Sequence, residues 1–268
     1  MNNYNNLIGT MYYYNNNPYA TIENIEKLNN NYYRVYLKRG NYIYKYIDLT
    51  LYEMNLLYED YLVRYERMNI LKEKEISKLV HFTKVDNLEN ILEYGIFSVE
   101  LLNILSIGYI PSDNNRLDGK LEFISTSISF PNYKMFYKKR SDDYNTRWAV
   151  ITIDPKVIID KLDSEFYSTN AANGIYSINY SPNTNNELRN MFYEENRDSN
   201  IPSYYTTDPQ AEILIRNNIK NNYFMSIETL EVIPKVKSLT LNSHIDYNPN
   251  SSLFSARCDY KRWWGYGD

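Results

Sequence analysis

Gln210-Ala211-Glu212-Ile213-Leu214-Ile215-Arg216 sets a glutamate at the head of a short apolar run. Consecutive aliphatic residues behind a polar flank read as a strand buried on both faces. Residues two apart on a strand share a face, so Gln210 and Glu212 are expected side by side at its entrance, close enough to serve one ligand. A carboxylate beside a cleft can stabilise the oxocarbenium-like charge that develops when a glycosidic bond breaks. Taken alone, Glu212 reads equally well as a capping or surface glutamate.

Two further segments give that glutamate a context. His81-Phe82-Thr83 closes a short apolar run, Ile76 to Phe82, where a histidine can offer ring nitrogens to hydroxyl or phosphate groups. Phe123-Ile124-Ser125-Thr126-Ser127-Ile128-Ser129 is a second strand, with the hydroxyls of Ser125, Ser127 and Ser129 on one face. Each also has a plain structural reading, as a backbone-satisfied histidine and a half-exposed strand. The nicotinamide–ribose bond of NAD is a glycosidic bond with a good leaving group, and it suits a carboxylate in such a setting.

Outward from these segments, Asp86 is placed to cap a helix carrying Leu88, Ile91 and Leu92 on one face and stopping at Gly95. Strands are expected at 122–129, 148–153, 211–216 and 227–233, and a short helix at 187–195. Towards the N-terminus, Tyr32 to Leu37 and Tyr42 to Ile47 read as strands joined by a turn at Arg39-Gly40. Thr50 and Glu53 form a capping box for a helix with Leu51, Met54, Leu57, Tyr61 and Tyr65 at helical spacing. The expected organisation is a low-complexity Asn/Tyr arm over 1–17, mobile or loosely docked, a small β-plus-helix module over 18–70, and a catalytic domain over 71–268. Strands separated by long loops, with the helices early, make the fold class α+β with a mixed or antiparallel sheet.

Composition removes several function classes. One cysteine, Cys258, and two histidines, His81 and His244, leave little for a disulfide framework or a zinc site, so no metal is expected. With only eight glycines there is neither a dinucleotide-binding fingerprint nor a phosphate loop. No G-x-S-x-G elbow is present either. No apolar run reaches the roughly eighteen residues a membrane span needs, and the N-terminus lacks a secretory pattern, so a cytoplasmic protein is expected. A net charge of −4 means that nucleic acid would need a local basic face. The best one interleaves Lys134, Lys138, Lys139, Arg140 and Arg147 with Tyr133, Phe136, Tyr137 and Trp148, diluted by Asp142 and Asp143. The 30 tyrosines read first as an AT-rich coding bias.

The order His81, Ser125-Thr126-Ser127, Gln210-x-Glu212 resembles the three NAD-site elements of ADP-ribosyltransferases, with histidine where bacterial toxins of the fold usually have arginine. His81-Phe82-Thr83-Lys84-Val85-Asp86-Asn87-Leu88, followed by Ile91-Leu92 and Gly95, resembles the opening of DarT-type DNA ADP-ribosyltransferase toxins. Gln210-Ala211-Glu212 is similar to that family's Q-A-E segment, and Arg257 to Trp264 to its aromatic closing strand. The resemblance covers roughly 78–265 and leaves 1–70 outside.

It implies an ADP-ribosyltransferase-like β core with flanking helices. It also implies Glu212 as the catalytic glutamate, with Arg116 beside the reacting base. His81, Thr83, Asn87, Leu88, Ser125, Ser127 and Gln210 would lie around NAD, and Tyr133, Phe136 and Tyr137 around nicotinamide. Tyr204 and Tyr205 fall in the substrate loop, and Lys138, Lys139, Arg140 and Arg147 would meet the acceptor. NAD is then a co-substrate, and the acceptor a base of single-stranded DNA, thymine or guanine, with RNA possible. A macrodomain-type antitoxin is the implied partner. A transferase acting on RNA or protein, and a non-enzymatic nucleic-acid-binding module, are the competing readings.

Overall fold

The computed structural model describes residues 2–111, 119–173, 175–176, 180–195 and 197–263. The chain divides into two compact units: residues 1–69 with 159–162, and residues 70–158 with 163–268.

The first unit is an antiparallel meander, β1 (Met11–Tyr14), β2 (Asn17–Lys27), β3 (Tyr32–Arg39) and β4 (Tyr42–Thr50), followed by most of helix α1 (Leu51–Glu73). Val35 and Leu37 alternate inward and meet Ile22, Ala20, Leu7 and Met54 in a closed apolar core. The capping box is present: Thr50 N–H donates to Glu53 Oε2 at 2.8 Å, and Glu53 N–H to Thr50 Oγ1 at 3.2 Å. Residues 2–17 are no free arm. Leu7 is fully buried, and β1 pairs with β2 through a turn in which Asn15 and Asn16 both take positive φ. Asparagine tolerates that conformation, so a stretch that looks like low-complexity filler encodes a hairpin. Asp160 belongs here too, accepting from Tyr13 Oη at 2.7 Å.

The second unit carries β5 (Leu79–Lys84), α2 (Leu88–Tyr94), β6 (Ile96–Phe97), α3 (Val99–Ile104), β7 (Phe123–Ile128), α4 (Tyr133–Asp142), β8 (Trp148–Ile153), α5 (Lys156–Asp160, whose end lies in the first unit) and β9 (Glu165–Tyr167). It continues through α6 (Asn185–Asn190), β10 (Glu212–Arg216), β11 (Asn218–Ile219), β12 (Phe224–Thr229), α7 (Pro234–Thr240), β13 (Asp246–Pro249) and α8 (Tyr260–Trp263). Seven strands form one sheet in the order β13-β12-β8-β5-β7-β10-β9, antiparallel except between β12 and β13. β8 is buried at all six positions, as Trp-Ala-Val-Ile-Thr-Ile requires of a strand covered on both faces. The fold is the α+β arrangement expected.

Several boundaries differ from the sequence expectation. Asp86 lies inside a 3-10 turn, Val85–Asn87, rather than capping α2. The helix expected at 187–195 ends at Asn190, and β12 ends at Thr229, before Pro234 opens α7. The described part of the Arg257–Trp264 segment, residues 257–263, forms no strand, because a helical turn runs over Tyr260–Trp263. Gly95 does stop α2, at φ +96°, where an added Cβ would lie 2.5 Å from the Ile219 carbonyl oxygen.

Candidate active site

β5 pairs with β8 along its whole length, from Leu79↔Ile153 to Lys84↔Trp148. Against β7 it pairs only at Leu79↔Ile128 and Val80↔Ser127, after which the two strands part. A ladder that opens leaves backbone groups to be satisfied otherwise. His81 does this, with Nδ1 at 2.8 Å from the Ser125 carbonyl oxygen. A carbonyl only accepts, so Nδ1 carries the proton of this contact.

The opening is a cleft of about 290 Å³, and His81, Thr83, Ser125 and Glu212 are among its lining residues. Register explains the convergence. Leu214 faces Ser125 on one side and Glu165 on the other, and Glu212 faces Tyr167. Residues opposite one another share a face, so Phe123, Ser125, Glu212, Leu214, Glu165 and Tyr167 lie together. Glu212 is 6% exposed. Its Oε1 accepts from Ser125 Oγ at 2.8 Å and its Oε2 from the Ala171 backbone N–H at 2.9 Å. These donors fix the carboxylate's orientation, and donors to a buried anion compensate for its desolvation.

The remaining wall depends on asparagines of the 85–90 segment. Asn87 Nδ2 donates to the Ile110 carbonyl at 2.8 Å and Oδ1 accepts the Ile110 N–H at 2.8 Å, a side-chain copy of a strand pair. Asn90 Nδ2 donates to the Gly108 carbonyl at 2.9 Å. The two amides hold residues 108–110 as one side of the cleft.

Some expected residues lie elsewhere. Leu88 has no exposure and belongs to the core, because it faces inward on α2. Gln210 sits in a turn before β10 begins, with its N–H donated to Asp208 Oδ1 at 2.7 Å, so strand alternation does not pair it with Glu212 and it does not line the cleft. Ser127 is buried opposite Val80 and does not line it either. Helix α4 turns the basic-aromatic segment into three environments. Tyr133 and Phe136 enter a core with Phe130, Trp148 and Phe254. Tyr137 is 61% exposed and Lys138 and Arg147 face solvent. Arg140 donates to the Phe254 carbonyl at 2.7 Å with its guanidinium over the Phe136 ring, and Lys139 alone of the four basic residues lines the cleft. Arg116 falls outside the described residues.

Sequence reasoning missed Asn170 to Ala172, which follow β9 and supply an N–H to Glu212, and the buried Glu165. Glu165 accepts from Lys120 Nζ at 2.6 Å, Ser181 Oγ at 2.6 Å and Tyr167 Oη at 2.9 Å. Glu165-Phe-Tyr167 alternates too briefly to stand out in a long polar region.

A second, more polar cleft of about 390 Å³ is lined by Lys78, Ser129, Tyr204 and Tyr205, among others. Ser129 holds positive φ, and its buried hydroxyl has no hydrogen-bond partner among the described residues. The loop bearing the tyrosines is clamped by buried Arg257, which donates to the Thr206 carbonyl at 3.0 Å and pairs with Asp259 at 2.7 and 2.6 Å.

Among the described residues no helix is long and apolar enough to cross a membrane, and no group of three or more His, Cys, Asp or Glu is placed to hold a metal ion. The family described as "ssDNA thymidine ADP-ribosyltransferase, DarT" matches residues 80–239. Among solved structures, Thermosipho africanus DarTG in complex with ADP-ribose is 19% identical, with 66% of this chain and 51% of that chain covered and a TM-score of 0.47. The alignment thus spans about half of the Thermosipho chain. Thermus sp. 2.9 DarT in complex with NAD+ is 13% identical over 67% of this chain and 98% of that one, at TM-score 0.47. The same protein in complex with ADP-ribosylated ssDNA is 13% identical over 67% and 97%, at 0.45. No curated protein sequence matches. With more than half of its 268 residues matched by the family model, the chain belongs to the DarT family of ADP-ribosyltransferases.

Proposed function

We propose that this protein transfers ADP-ribose from NAD to a thymine base of single-stranded DNA, with Glu212 as the catalytic carboxylate. The observation that carries the reading is the buried Glu212 at the head of β10, held by Ser125 Oγ and Ala171 N–H in the cleft that His81 also lines. Such a carboxylate is preorganised to stabilise positive charge on a ribose as its bond to nicotinamide lengthens.

In the reaction the ribose C1–nicotinamide bond breaks and nicotinamide leaves with the electron pair. The thymine imide nitrogen forms the new bond to C1, and its proton passes to a base. That nitrogen is a weak nucleophile at neutral pH, so a positioned base assists. Glu212 is the buried carboxylate lining the cleft, and it is the proposed acceptor of the proton. The roles proposed for His81 and Thr83 are NAD contacts, and for Asn87 the positioning of the cleft wall. Tyr204 and Tyr205 are the proposed stacking residues for the acceptor strand.

The family description supports thymine over guanine as the acceptor. A DNA-modifying toxin neutralised in the cytoplasm by a macrodomain-type antitoxin is the setting that fits this chemistry. Labelled NAD offered with single-stranded DNA, RNA and extract protein tests the reading. Label on thymine-containing DNA is expected from the wild type, and Glu212→Ala, still folded, should lose about 10²–10⁴ in rate. Undiminished transfer by that variant, or label on RNA or protein alone, overturns it.

A further inference from the structure

The turn end of the β1–β4 sheet gathers tyrosines and cations without carboxylates. Residues 11–22 and 39–47, which build this end, contain no Asp or Glu. Further along the sheet the cations are neutralised, Arg34 by Asp48 at 2.7 Å and Lys38 by Glu23 at 3.3 Å. Arg39 and Lys45 are different, since both are exposed and neither has an ion pair among the described residues. The Arg39 guanidinium lies 4.2 Å over the Tyr19 ring and 4.9 Å from that of Tyr44, and its Nε donates to the Tyr19 carbonyl at 2.9 Å. Lys45 Nζ stands 4.7 Å from the Tyr19 ring. Hydrogen bonding from Lys45, and then from Tyr44, holds the Tyr19 phenol below its ordinary value, as a locally positive surface would.

Around this centre Tyr14, Tyr42 and Tyr44 are 62%, 80% and 53% exposed. Tyr42 makes no ring contact among the described residues. Rings left in water on a folded surface are available to stack on flat partners, and a cation fixed beside them suits an anion linked to such a partner. Alternating phosphates and bases meet both demands, provided that the bases are unpaired, because a duplex hides their faces.

We propose that this end of the first unit is a second binding surface for single-stranded DNA, with phosphates on Arg39 and Lys45 and bases stacked on Tyr42 and Tyr44. The choice of DNA rests on the substrate reading above.

The test uses the full chain without NAD and fluorescent single-stranded DNA of about thirty nucleotides, long enough for several binding footprints. Tyr42→Ala/Tyr44→Ala and Arg39→Gln/Lys45→Gln all replace exposed side chains. Each double variant is expected to bind about ten- to a hundredfold more weakly. The charge variant should also lower the salt slope by about 0.7 per cation removed. Transfer to a minimal acceptor of about five nucleotides should keep the wild-type rate, since that length fits a single site. Wild-type affinity in both variants overturns the proposal, as does a wild-type preference for RNA of the same length that the substitutions abolish. If the variants lose DNA binding while the wild type modifies no DNA, the catalytic reading fails and this surface stands.

Discussion

Ser125 Oγ donates to Glu212 Oε1 at 2.8 Å although the two residues are not opposite one another, because the β7–β10 register sets Leu214 across from Ser125. The bond is a diagonal contact on one sheet face, reached only because the glutamate side chain is long enough. A rigid ladder therefore fixes where the carboxylate points.

Removing that donor should be felt in the chemical step. Ser125→Ala is expected to lower kcat about ten- to a hundredfold, the worth of a hydrogen bond to a charged group. The double variant with Glu212→Ala should be scarcely slower than Glu212→Ala alone, since the hydroxyl acts through the carboxylate. Single-turnover transfer rates check this, and additive losses would argue against it.

Asn87→Ala releases the Ile110 backbone, and nothing in the pairing of Asn87 with Ile110 touches Glu212. KM for NAD is expected to rise about tenfold with kcat within a factor of about two, the signature of lost binding rather than lost transition-state contact. A fall in kcat at unchanged KM would place Asn87 in the chemistry instead.

Arg257 and Asp259 form a bidentate pair with side chains 2% and 1% exposed. Arg257→Met takes the bidentate partner away from a buried carboxylate and should destabilise the fold by about 3–5 kcal/mol. Adding Asp259→Leu should recover a large part of that loss. Denaturant midpoints of the two variants decide it, and an equally unstable double variant would mean that the clamp on Thr206 dominates.

Burial, reinforced by Asp259, pushes the Tyr133 phenol up to about 12, and burial with the Asp160 hydrogen bond pushes Tyr13 higher still. The folded state thus holds these protons more tightly than the unfolded chain, whose phenols ionise near 10. Their contribution is complete below that value and is lost as pH rises towards 12. Denaturant midpoints are expected to fall from pH 10 upward, and less steeply in Tyr133→Phe. An unchanged slope in that variant would remove Tyr133 from the account.

Those parts of the protein that depend on local chemistry are legible along the chain. The apolar runs at 148–153 and 213–215 read as strands and are buried ones, the Thr50/Glu53 box starts α1, and Gly95 ends α2. Gln210-Ala211-Glu212 and His81-Phe82-Thr83 carry the resemblance, and four of their residues, His81, Phe82, Thr83 and Glu212, line one cleft. What the tertiary structure decided depends on register and on helix faces. The parting of β5 from β7, the Ala171 N–H beneath Glu212 and the burial of Glu165 arise from strands far apart in sequence. Packing of α4 buries Tyr133 and Phe136 and leaves Tyr137 and Lys138 exposed, which breaks up a patch that looks continuous along the chain. Asn15-Asn16 reads as low complexity until β1 and β2 pair across it. Local preference chooses an element, but only the pairing of distant elements chooses which side chains meet.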